Sequence, residues 1–308
     1  MRPIPTRVGS LAVRVLGEGP PAVLWHSLFV DARSWQRVEH ELAQDRRLVI
    51  ITGPGHGASS DPGHRYSLDD CAAAAGEVLA ALGIDEPVDW VGNAWGGHVG
   101  VVFASSWPDR CRTLATFGTP IEAYGRSERW LFRVLLAAYR VTGMVDYLSS
   151  SICEALLSPR TRSNDPEAVA LVLDSLRTIR RRALANAMTS ISLRRPDLTS
   201  RLPAIACPTV FVTGSDHPEW TPEQAKAKSR LLASGSVAVV PDTSYLTPLE
   251  APDATIELIR TLWMAPSAMA TLAPERVASA AGCARRPSCA TYGPSDPTGT
   301  TQTPSGRR

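Results

Sequence analysis

The chain has 308 residues, 44% hydrophobic and 20% charged, enough to bury a large core in one α/β domain with an insertion or in two smaller domains. Its net charge of +2 belongs to its end: of 32 basic and 30 acidic residues, five and two lie in 265–308, which leaves 27 and 28 before them. A main part this close to neutral excludes nucleic acid and an anionic membrane surface as principal partners.

The opening "MRPIPTRVGSLAVRV" has no apolar core of a secretory leader. Within it "LAVRVL" (11–16) alternates, as a strand with one wetter face does. "PAVLW" (21–25) and "LVIIT" (48–52) are continuous apolar runs of the kind buried in parallel sheets. "SLDDCAAAAGEVLAALG" (67–83) predicts a helix, with Ser67 as N-cap, early acids, an alanine-rich body and a closing glycine. A strand at 88–92, a helix at 95–106 and a strand at 113–117 follow. From 124 to 200 the chain reads as helical and arginine-rich without a clear strand. Its longest apolar stretch, Leu131 to Leu148, is broken by Arg133, Arg140 and Asp146, so it cannot span a bilayer. "RTIRRR" (177–182) reads as a solvated helix face. Strands at 209–213 and 236–240 and helices at 221–232 and 251–263 restore the alternation.

Strands alternating with helices imply right-handed crossovers and a mostly parallel sheet with helices on both faces. The expected organisation is an α/β core built from 1–123 and 201–264, a helical lid inserted at 124–200, and a disordered tail at 265–308, rich in Pro, Ser, Thr and Gly. The six scattered cysteines show no C-x-x-C pair and read as reduced thiols, with no metal site and a cytoplasmic location expected.

The chemistry-bearing stretch is "VDWVGNAWGGHVG" (88–100). Gly92-Asn93-Ala94-Trp95-Gly96 has the spacing of the nucleophile elbow G-x-S-x-G, with an alanine methyl where the serine hydroxyl belongs. Three further segments accompany it: "LWHSLFVDARSW" (24–35), "TGPGHGASSDP" (52–62) and "PDTSYLTPLEAPD" (241–253). Together they resemble, in order, the landmarks of the α/β-hydrolase superfamily over residues 10–264, and the resemblance implies that family's fold. It further implies an oxyanion hole from the backbone N–H groups of Leu28 and Trp95. The catalytic histidine position falls on Tyr245. In the acid loop "VFVTGSDHPEW" (210–220), the aspartate position falls on His217, with Asp216 one residue early. His56 reads as a turn-stabilising residue and His98 as structural. Independently of that alignment, no histidine follows His217, so the chain order Ser…Asp…His cannot be completed.

Ordinary serine hydrolysis is therefore not expected. The pocket is expected to hold His26, Ser27 and Asn93 as ligand contacts, with His217, Tyr245 and Asp216 moving protons and no cofactor. This suits a non-hydrolytic enzyme of cyclase, lyase or isomerase type, of bacterial specialised metabolism. Its ligand would be a small hydrophobic carbonyl compound, to which Trp130, Leu131, Leu135 and Tyr139 of the lid contribute apolar surface. A non-catalytic ligand-binding or partner protein is the alternative, as is a hydrolase carrying an engineered alanine; a homodimer is compatible with either.

Overall fold

A computed structural model describes residues 1–264; the expectation of a disordered tail at 265–308 lies outside them. Eight strands form one sheet: β1 (Arg2–Thr6), β2 (Gly9–Leu16), β3 (Pro21–Trp25), β4 (Arg47–Ile51), β5 (Val88–Asn93), β6 (Cys111–Phe117), β7 (Thr209–Gly214) and β8 (Gly235–Val240). Their spatial order is β1-β2-β4-β3-β5-β6-β7-β8, antiparallel at β1/β2 and β2/β4 and parallel elsewhere. β1 is the strand that sequence patterning does not reveal. Pro3 and Pro5 break the usual strand composition, and they are tolerated because β1 is an edge strand.

The helices that cover the sheet are α1 (Leu68–Ala81) and α2 (Trp95–Ser106); the inserted segment supplies α3 (Arg126–Thr142), α4 (Asp146–Leu156), α5 (Pro159–Asn164), α6 (Pro166–Thr178) and α7 (Arg181–Ala187). α8 (Pro222–Ser229) and α9 (Pro252–Met264) follow, and one-turn helices lie at Glu39–Leu42 and Thr247–Glu250. α1 starts where the sequence predicts, with Ser67 and Asp70 closing a reciprocal capping box. Alternate residues of the strands feed two cores. Val23, Trp25 and Trp90 pack with α1 and α2 on one face, while Leu24, Val91 and Phe117 pack with α9 on the other. A third cluster joins α4 and α6 to Val30, Leu246 and Leu249, so the lid is seated on the loops that follow β3 and β8. No helix among the described residues is long and apolar enough to cross a membrane.

At the amino end of β5, opposite the loops just named, Asp89 is fully buried. It accepts from Arg46 Nε at 2.8 Å, Arg112 Nη1 at 3.1 Å and Thr113 Oγ1 at 2.8 Å. Arg46 also lies over the Trp263 ring, 4.7 Å from its centroid, and so ties α9 to the sheet. Removing the acid strands a buried cation. Asp89→Ala is expected to cost about 3–5 kcal/mol in urea unfolding, and a loss under about 1 kcal/mol would show that Arg46 reaches water instead.

Candidate functional site

The carboxyl ends of the parallel strands converge where the strand order reverses between β3 and β5, the usual place for a ligand crevice. Ala94 joins β5 to α2 with φ 46° and ψ −102°, a left-handed backbone that costs a non-glycine residue roughly 1–3 kcal/mol. The turn is that sharp because its flanks touch. A Cβ at Gly92 would lie 2.2 Å from the Gly96 backbone, and one at Gly96 would lie 1.9 Å from the Trp25 carbonyl oxygen. Glycine at both positions is therefore a steric requirement of the G-x-A-x-G spacing. Hydrogen bonds hold the turn in place: Ala94 N–H donates to Phe117 O at 2.8 Å, and His98 N–H donates to Ala94 O at 2.9 Å.

Trp95 is the first residue of α2, and its N–H donates to no acceptor among the described residues; neither does that of Leu28 in the loop after β3. The Leu28 loop is fixed from behind by His56, whose Nε2–H donates to the Leu28 carbonyl at 2.6 Å. Ser27, Leu28, Ala94 and Trp95 all line one cavity of about 480 Å³ between the sheet edge and the lid. The remaining wall is mostly apolar. Leu131, Leu135 and Tyr139 of α3 face it, as does the π-helical stretch Met188–Leu193 through Met188 and Ile191. Trp130 does not line the cavity and is 64% exposed, which corrects its assignment to the ligand surface.

Tyr245 lies on the cavity wall in the loop after β8. Three contacts fix its backbone: its N–H donates to Leu156 O at 3.2 Å, Asn93 Nδ2 donates to its carbonyl at 2.7 Å, and the preceding Ser244 N–H donates to Glu250 Oε1 at 2.8 Å. Glu250 also accepts from Ser158 N–H and Thr161 Oγ1 of the lid, so one half-buried carboxylate couples lid and loop. Burial, with the Glu219 carboxylate nearby, raises the Tyr245 phenol above its ordinary range, so it stays protonated and acts as a donor.

His217 packs against Tyr245, ring centroids 3.8 Å apart and planes tilted by 38°, and is absent from the cavity wall. Its Nδ1 accepts the N–H groups of Glu219 (3.1 Å) and Trp220 (3.0 Å), which places its proton on Nε2, an atom without a hydrogen-bond partner among the described residues. Nδ1 thereby orders the 217–220 turn, and with its proton on Nε2 and no place on the cavity wall the ring is not set to act as a base on a ligand there. Asp216 is exposed and contacts Ser215 Oγ, away from the cavity. The acid that this loop delivers to the cavity is Glu219, three residues on.

Two of the expected ligand contacts are also corrected. His26 is fully buried, with Nε2 accepting from Gly53 N–H at 2.8 Å and Nδ1–H donating to Ser27 O at 2.7 Å, so neither nitrogen is free. Asn93 is buried off the cavity wall, and its Nδ2 donates to Phe117 O and Tyr245 O, a strut beneath the tyrosine loop. Ser27 does line the cavity. Glu219, Tyr124, Glu128 and Arg195 are on the wall without having been singled out in the sequence, and His98, read there as structural, is on it too. Glu219 was findable as the second acid of the loop after β7; nothing in the pattern around Arg195 separates it from the other lid arginines.

Burial lowers His217 to about 4 and His26 to about 3, the latter with the His56 ring adding to the effect. For His217 the unfolded chain takes up the proton first, so its contribution is complete above about pH 6.5 and drains away as pH falls toward 4. Over that window it amounts to about 3 kcal/mol. His217→Asn keeps an oxygen acceptor for the two N–H groups but cannot be protonated. Its unfolding free energy should therefore fall less steeply between pH 6.5 and 4 than the parent's; an unchanged slope would assign the acid sensitivity to other groups.

The alpha/beta hydrolase family matches the chain over residues 22–258. Among curated relatives, a 2-hydroxy-6-oxo-2,4-heptadienoate hydrolase of Pseudomonas putida is 33% identical over 111 residues, 36% of this chain and 37% of that protein. A 2-hydroxymuconate semialdehyde hydrolase of Pseudomonas sp. is 34% identical over 104 residues, 33% of this chain and 34% of that protein. These matches span about a third of the relatives' length. A thermophilic esterase from Thermogutta terrifontis superposes with a TM-score of 0.80 at 24% identity, over 86% of this chain and 98% of that one. The enol-lactonase from Burkholderia xenovorans LB400 does so with a TM-score of 0.78 at 21% identity, over 85% and 99%. At such identities the structures speak for the fold alone.

Proposed function

The chain belongs to the alpha/beta hydrolase family, and from that premise we propose that it is a triad-degenerate member: a cofactor-free, non-hydrolytic enzyme acting on a small, largely apolar carbonyl compound. One observation carries the reading. The strained elbow and both outward N–H groups are in place although the residue at the turn bears only a methyl. A turn that costs energy and holds no nucleophile has its use in aiming the Trp95 N–H.

In this reading the ligand's carbonyl oxygen accepts from Leu28 N–H and Trp95 N–H above the Ala94 methyl. Each such donor is worth about 10²–10³ in rate when negative charge develops on that oxygen. The Glu219 carboxylate removes a proton from the carbon next to the carbonyl. The C–H electron pair moves onto oxygen as an enolate, and Tyr245 O–H returns a proton where the product needs one, taking up in its place the proton that Glu219 removed. Cyclisation, aldol or retro-aldol cleavage, elimination and isomerisation all proceed through such an enolate and need no covalent acyl-enzyme.

The test is mass balance. The protein is incubated with a metabolite extract of its source organism, and consumed compounds are followed by mass spectrometry. Conversion to an isomer, loss of water, or cleavage into two carbonyl fragments supports the proposal. A product that has gained one water sinks it in favour of hydrolysis, and a compound retained unchanged favours the pure binder.

A further inference from the structure

Arg195, at the end of the lid segment, is 8% exposed and lines the same cavity as Ala94 and Tyr245. A guanidinium carries five N–H donors and stays charged at any ordinary pH. Two contacts are made here: Nη2 donates to Glu122 O at 2.6 Å, and Nη1 lies 3.0 Å from His98 Nε2. Nε is buried without a partner, and none of the ion pairs among the described residues includes Arg195. Glu219 and Asp197 reach it only at longer range, and the Tyr124 ring, 5.0 Å from Cζ, offers a π face instead of a counter-charge.

The Nη1 contact does not settle matters. His98 Nε2 is also 2.8 Å from Pro120 O, which can only accept. If Nε2 carries the proton for Pro120, Nη1 faces a donor and is unmet. If Nε2 accepts from Nη1, the proton moves to Nδ1, which is itself buried without a partner. Either tautomer leaves at least two donors unsatisfied at a buried positive charge. A neutral water could satisfy donors but would leave the charge unpaired.

We propose that this corner is a carboxylate subsite: the ligand of the cavity is an apolar carboxylic acid whose carboxylate seats on Arg195 beside His98. One positive charge matches one carboxylate, and the apolar wall takes the body of the molecule. The inference rests on the cavity being the ligand site, as in the function proposed above, and names a feature of that ligand.

The probes are 4-phenylbutanoate and its carboxamide, which share an apolar body and differ in charge, with binding read by calorimetry on the full chain. The acid should bind at least about tenfold tighter than the amide, as expected for charge-assisted hydrogen bonds. Arg195→Met should erase that preference while leaving amide affinity in place, and Arg195→Lys should retain part of it. Equal affinities for acid and amide overturn the proposal, as does an undiminished preference in Arg195→Met, or no saturable acid binding up to about 10 mM. The comparison on the parent protein decides even if Arg195→Met does not fold. Because the assay reads binding and not product, it can fail while the enolate chemistry stands, and the reverse.

Discussion

Against p-nitrophenyl acetate and butyrate, the purified protein is expected to turn over more slowly than about 0.1 s⁻¹, below the ordinary enzyme range. Loss of a triad serine or histidine typically costs on the order of 10⁶ in turnover, about 8 kcal/mol of transition-state stabilisation. An oxyanion hole and binding alone retain roughly 10³–10⁴ over water. Ala94→Ser should not recover the difference, because no imidazole stands ready to take the new hydroxyl's proton. Tyr245 holds its proton, and His217 is committed to the Glu219 and Trp220 N–H groups behind it. Ester hydrolysis rising by more than about 10³ in Ala94→Ser would mean that a base does reach the turn, and would turn the reading into that of a hydrolase with one altered residue.

The fold was legible because its signals are local and redundant. Short apolar runs such as "PAVLW" became buried parallel strands, and the paired glycines around Ala94 bracketed a turn that only glycine flanks permit. The site was legible only in part. Spacing located Ala94, Leu28, Trp95 and Tyr245, because backbone geometry puts those positions at the ends of β3, β5 and β8. Spacing does not say where a side chain's hydrogen bonds go, and that decided the others. His26 and Asn93 look like ligand contacts by type, yet the N–H of Gly53 and two backbone carbonyls consume them. Asp216 and Glu219 share one loop, and the turn ordered by His217 sends the second, not the first, to the cavity. Arg195 and His98 meet across 97 residues, a contact no local pattern encodes.

Tyr245→Phe is the substitution that separates a working pocket from a filled one. Turnover of the native substrate should fall by about 10²-fold or more, the usual worth of a positioned proton donor. The fall should come in kcat with KM little changed, since the apolar wall and the two N–H donors remain. The design isolates the hydroxyl. The loop is held through the Tyr245 backbone, by Asn93 Nδ2 and Leu156 O, and the ring still packs against His217, so the melting temperature should not move. A phenol pushed above its ordinary range also sets the alkaline behaviour: activity should show no limb from Tyr245 ionisation up to about pH 10. Glu219→Gln should lose activity to a similar degree, because the amide cannot take the proton, and the double variant should lose little more if the two act on one proton path. If Tyr245→Phe and Glu219→Gln both turn over substrate like the parent, the polar end of the cavity is packing. The elbow then serves to hold a ligand rather than transform it.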